Sequence, residues 1–112
     1  MKAWNEDIDL PDGCIDTHFH SLSMHEKELP VETIVSHCLS SGMSAAMEIG
    51  IHPDELESRK SSFKDLIEGM PETLYFTSGI GPSNVGNYTS DDLDTLVSQA
   101  ESRAITAIGE IG

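Results

Sequence analysis

The feature that most constrains this chain is an alternation that runs along its whole length. Short apolar runs take turns with longer stretches whose apolar residues recur at helical spacing. The apolar runs occupy residues 14–20, 45–51, 74–80 and 104–111. The first follows the turn signal Pro11-Asp12-Gly13. Between the first two runs, Val31, Ile34, Val35, Cys38 and Leu39 form the core stripe of an amphipathic helix that opens at Pro30 and ends at Gly42. A second helix is expected from Pro53 to the stop at Pro71, with Leu56, Phe63, Leu66, Ile67 and Met70 on one face. A third starts at Thr89, which forms a capping-box pattern with Asp92, and carries Leu93, Leu96, Val97 and Ala100. Residues 21–28 and 81–88 read as loops.

Strand, helix, strand, helix, strand, helix, strand is the order of a parallel sheet with right-handed crossovers. Two α/β architectures fit it, an open doubly wound sheet and a (β/α)8 barrel. The open sheet needs a glycine-rich first turn for ligand chemistry. Here the end of the first run carries histidines instead, which favours the barrel. A whole barrel takes about 250 residues. Four strands in 112 residues therefore amount to the N-terminal half of one barrel domain, residues 1–112.

Composition narrows the function. The hydrophobic fraction of 38% supports a packed core, although aromatics supply only 5%. Twenty acidic residues against six basic ones give a net charge of -14. A surface this acidic repels phosphate backbones unless cations intervene. That argues against a simple electrostatic nucleic-acid binder and is compatible with a divalent-metal site, although most of the charge is expected to be solvated surface. Cys14 and Cys38 are isolated in apolar stretches and are expected as buried, reduced thiols in a reducing compartment. Residues 1–7 lack the apolar segment of a secretory signal, and no apolar run approaches the length that spans a bilayer. The expectation is a cytoplasmic protein without a membrane partner.

His18-Phe19-His20 is the sharpest local feature. Residues two apart on a strand project to one side. Strict alternation puts Cys14, Asp16, His18 and His20 on one face and Ile15, Thr17 and Phe19 on the other. At the C-terminal mouth of a barrel, His18 and His20 could converge on one metal. Imidazole suits zinc and other first-row divalent ions. Asp16, one step deeper, is placed to accept a histidine N–H and fix its tautomer from behind. The plain alternative is a chance His-x-His on an exposed strand end. Glu110, flanked by Gly109 and Gly112, is a carboxylate in an apolar strand and needs a partner there. Metal coordination is one solution and exposure to water is the other. A glutamate on the fourth strand could bridge two cations, and two cations can clamp a phosphoryl group and activate water.

These motifs resemble the TatD-family deoxyribonucleases. Residues 15–20, Ile-Asp-Thr-His-Phe-His, are similar to the family's opening Asp-Thr-His-x-His. Residues 107–112, Ala-Ile-Gly-Glu-Ile-Gly, are similar to a segment that usually continues into Leu-Asp. Gly79-Ile80-Gly81-Pro82 stands where the family has Gly-Ile-His-Pro. The resemblance implies an amidohydrolase-like (β/α)8 barrel that cleaves DNA phosphodiester bonds with divalent metal ions, two of them, drawn from Mg, Mn or Zn. It implies that His18 and His20 hold one metal and that Glu110 binds or bridges the other. Gly81 departs from the pattern and leaves the role of the missing histidine in question. The string Gly50-Ile51-His52-Pro53 matches that motif one strand too early, and His52 is expected to be a helix-start residue. His25 is placed in the loop after the first strand, within reach of substrate at most, and His37 is expected to be structural. The family also uses histidines and an aspartate from later strands.

Two other readings compete. Other amidohydrolases, acting on amides or esters, also begin with His-x-His, but many bridge their metals with a carbamylated lysine where Glu110 stands here. A truncated, non-catalytic product that only binds metal or associates with partners is the third. On the fragment reading, open sheet edges predict marginal stability or dimerisation, and nuclease activity is expected to be negligible.

Overall fold

The computed structural model describes residues 9–112, so the stretch read above for a signal, residues 1–7, lies outside the described residues. Four strands form one sheet, β1 (Ile15–Phe19), β2 (Ala45–Glu48), β3 (Leu74–Ser78) and β4 (Ala107–Ile108), in the order β1-β2-β3-β4. All three pairings are parallel. A doubly wound sheet reverses its strand order at a switch point. This one does not reverse. Four parallel strands in chain order, alternating with helices, fit the first half of a (β/α)8 barrel.

Five helices connect the strands: α1 (Ser21–Glu26), α2 (Val31–Ser40), α3 (Leu56–Ser62), α4 (Lys64–Gly69) and α5 (Ser90–Glu101). Helix α2 follows its pattern. Val31, Val35 and Leu39 are buried, while Ile34 and Cys38 are half-buried beside them. Gly42 has φ 120°, and the Met43 N–H reaches back to the Cys38 carbonyl, so the helix closes with a Schellman turn. Helix α5 opens with the capping box: Asp92 N–H donates to Thr89 Oγ1 and Thr89 N–H to the Asp92 carboxylate. Leu96 is its buried residue; Leu93 and Val97 face outward, contrary to the expected stripe.

Three elements differ from the sequence expectation. The single helix after Pro53 is a short 3-10 turn, Pro53–Glu55, followed by α3 and α4 with a break at Phe63. Ser62 Oγ donates to the Arg59 carbonyl, and Phe63 N–H turns to the Lys60 carbonyl instead. A hydroxyl that competes for a helix carbonyl bends helices in this way. The break seats Phe63 in the core, between the rings of Phe19 at 6.2 Å and Phe76 at 6.1 Å. Ile67, expected on the buried face, is exposed as a result. The residues after His20 are a helix rather than a loop, because the buried Glu48 carboxylate accepts the Ser21 N–H and Oγ–H at its start. Finally, β4 is short. Its flanks stay bound to the sheet by Thr106 N–H to Phe76 O and Glu110 N–H to Gly50 O.

The core unites Val31, Val35 and Leu39 with Leu56, Phe63, Leu66, Phe76, Leu96 and Ile105, between the sheet and its helices. Cys14 and Cys38 are free thiols, half-buried rather than fully enclosed. Burial pushes the Cys38 thiol above its ordinary pKa, and the charges of Asp16 and Cys14 add to the shift. Among the described residues, no helix is long and apolar enough to cross a membrane.

Candidate metal centre

Strand β1 does not alternate strictly. Asp16 pairs with Ala46 and Phe19 with Glu48, so three steps on β1 match two on β2. This bulge inserts one extra residue and re-aims the side chains beyond it. Paired residues on neighbouring parallel strands share a face, so Asp16 and Phe19 lie together on the side of Ala46 and Glu48. Asp16 and Phe19 accordingly line one cleft with Met24, Cys38 and Ala46. Asp16 Oδ1 accepts the backbone N–H of His18 at 3.0 Å. The expected face of Asp16, His18 and His20 is thus divided, and the carboxylate that was to hold a histidine ring holds the bulge.

His18 and His20 do converge, from the end of β1. Their Nε2 atoms stand 3.0 Å apart, with ring planes at 82°. Glu110, just past β4, brings Oε2 to 3.3 Å from His20 Nε2 and 3.8 Å from His18 Nε2. All three ligand atoms lie within 4.8 Å of one another. The tautomer of His20 follows from its other nitrogen. Nδ1 lies 3.0 Å from the Ile49 carbonyl, which only accepts, so Nδ1 carries the proton. In the neutral ring, Nε2 then points its lone pair into the cluster, the arrangement that suits a ligating histidine. Two nitrogens at the usual ~2.0–2.1 Å from one ion stand roughly 2.9–3.4 Å apart, between right-angle and tetrahedral geometry. The imidazole pair falls within that span, so the residues fit a divalent cation.

A cleft beside this cluster is lined by His20 and Glu110 with Ile49, Ile51, Glu55 and Arg59. Glu55 Oε2 and Arg59 Nε are enclosed there without a hydrogen-bond partner among the described residues. Burial raises the Glu55 pKa against the opposing pull of Arg59 and His52. Under the cluster, Glu48 and Arg59 form a buried ion pair through Oε2 and Nη1. The sequence reading missed Glu48, Glu55 and Arg59. Two charges of opposite sign in adjoining elements were visible, but nothing local tied them to each other or to the histidines.

The other histidines stand apart. His52 caps the 3-10 turn: its Nδ1 accepts the Asp54 N–H, and its Nε2 lies 3.3 Å from Asp92 Oδ2. Its place at a helix start agrees with the sequence reading, and it forms a separate group with Asp54 and Asp92. His25 sits in the last turn of α1 and His37 in the last turn of α2. At Gly81, an added Cβ would stand 3.0 Å from the Ile51 Cβ, so a histidine there would displace Ile51.

Parallel strands in barrel order, with a histidine pair at the mouth of the first and a glutamate at the mouth of the fourth, fit the first half of a barrel of the metal-hydrolase type. More particularly, the chain belongs to the family of TatD-related DNases, whose model matches residues 15–112. That family is one of metal-dependent hydrolases. No curated protein and no solved structure matches the chain.

Proposed function

We propose that this chain supplies the His18, His20 and Glu110 side of a metal-dependent deoxyribonuclease centre. The observation that carries the reading is the meeting of two imidazoles from one edge of the sheet with a carboxylate from the other. His18 and His20 would hold one divalent cation, and Glu110 would bind or bridge to the other. Zinc suits the imidazoles and magnesium or manganese the carboxylate. When bound, such ions offset the charge that develops on a phosphodiester and lower the pKa of a coordinated water.

The chain's own groups do the rest. The Ile49 carbonyl holds the His20 proton on Nδ1 and keeps Nε2 free. The Glu110 backbone N–H, fixed on the Gly50 carbonyl, sets where the carboxylate can reach. DNA is the proposed substrate of a barrel that carries this site together with ligands from further strands, acting in the cytoplasm. Residues 1–112 alone are proposed to bind metal without turning over DNA.

Isothermal titration with zinc and manganese tests the first step. Saturable binding by the chain, lost in His18→Ala and weakened in Glu110→Gln, is the expected result. Wild-type binding that neither substitution changes would refute the site. Plasmid nicking by the purified chain that disappears in His18→Ala would overturn the proposed inactivity of residues 1–112.

A further inference from the structure

The geometry points to the buried Glu48–Arg59 pair as a positioning device for the metal centre, an inference that rests on the metal-binding reading above. Neither side chain belongs to the converging group of His18, His20 and Glu110, although both line the cleft beside it. Both are enclosed, Glu48 at 0% exposure and Arg59 at 1%. Glu48 Oε1 accepts from Ser21 N–H at 3.1 Å and Ser21 Oγ–H at 2.9 Å, and Ser21 directly follows the ligand His20. Glu48 Oε2 binds Arg59 Nη1, and Arg59 Nη2 donates to the Thr77 carbonyl at 2.9 Å. From Thr77 the path continues. Its hydroxyl donates to the Gly109 carbonyl at 2.6 Å and accepts the Gly50 N–H at 3.1 Å. Gly109 directly precedes the ligand Glu110. One connected set of hydrogen bonds thus joins the residue after His20 to the residue before Glu110, across β2 and β3.

Two further facts favour a role beyond stability. A side chain at Gly50 would collide with the Arg59 guanidinium and the Thr77 carbonyl, so the backbone leaves that path open. Removing two charges from water is costly, and well-packed apolar residues of similar volume often serve stability as well or better. Polar contacts behind ligating residues, by contrast, hold those residues in the geometry the ion requires, and losing them weakens metal binding roughly 10–100-fold. His20 and Glu110 lie just past the ends of β1 and β4. The pair and Thr77 fix those ends against one another before any ion arrives.

The test compares zinc affinity and thermal melting for the 112-residue chain and the double variant Glu48→Met/Arg59→Met. A retained cooperative melt with zinc affinity reduced about 10–100-fold is expected. Affinity within twofold of wild type in the folded double variant overturns the inference. A double variant that does not fold passes the decision to Thr77→Val and Thr77→Ser. Valine removes the bonds to Gly50 and Gly109, and serine restores them. Weakened zinc binding in the first, rescued in the second, supports positioning, as does a shift of the His20 ring 15N signals in Thr77→Val alone. Equal affinities in both overturn it. A wild-type chain that binds no zinc fails the metal-binding reading itself, and the inference falls with it.

Discussion

His20 Nδ1, held by one carbonyl, decides which nitrogen faces the cluster. Other single groups set how the molecule responds to acid. The Thr89 backbone N–H, helped by His52 and the Thr89 hydroxyl, holds the Asp92 carboxyl below its ordinary pKa. A depressed carboxyl contributes stability above its unfolded value, near ~3.9, and loses it as pH falls through the lower folded value. Asp92→Asn is expected to flatten the acid limb of the melting profile, and an unchanged limb would count against the cap. Thr89→Ala is expected to lower stability by about 1 kcal/mol in urea unfolding. Glu55 has the opposite sign. Burial raises its pKa, so the native state is favoured below the unfolded value of about 4.3 and penalised as pH rises through the folded value. Glu55→Gln is expected to raise the melting temperature at pH 7 and to lose that gain at low pH; a lower melting temperature at pH 7 would show that the carboxylate is needed for packing. At this scale the sequence was readable where signals are local. The His-x-His and the Thr89–Asp92 box lie within a few residues, whereas Glu48 finds Arg59 eleven positions away and Ser21 twenty-seven away.

Among the elements, β2, β3 and β4 were legible because each is apolar along most of its length, and β1 because a turn signal precedes it. Helix α2 was legible because its stripe and its terminal glycine agree. Helix α1 was not, because its cap comes from Glu48 on β2 rather than from its own first turn. The bulge in β1 was equally hidden. Alternation is a property of a strand alone, and the bulge is a property of its pairing with β2. The break between α3 and α4 seats Phe63, which is fully buried between two other rings. Phe63→Ala is expected to cost about 3–5 kcal/mol by chemical denaturation, a loss on the scale of a large buried aromatic. A loss below about 1 kcal/mol would mean that the core closes over the gap.

The whole molecule carries a net charge of -14, so any approach to a phosphate backbone would depend on cations as well as on shape. β1 and β4 are the edges of the sheet, and Ile15, Ile108 and Ile111 are exposed there. Unpaired edges with exposed apolar side chains favour association. Sedimentation velocity is expected to show concentration-dependent oligomers that Ile15→Lys with Ile108→Lys reduces, and a monomer at all concentrations would refute this. The barrel order was legible from the sequence because strand and helix signals alternate without interruption. The convergence of both edges on one point was legible through the barrel order and the family motif together, since no local pattern relates residue 18 to residue 110.

That convergence would make a bound ion a fastener. A cation bound by His18, His20 and Glu110 closes a loop through nearly the entire described chain, and a ligand that binds only the closed form shifts unfolding by mass action. At a hundredfold excess over its dissociation constant that shift is about 2.7 kcal/mol. Metal supply would then help to govern how long the protein survives unfolding and proteolysis.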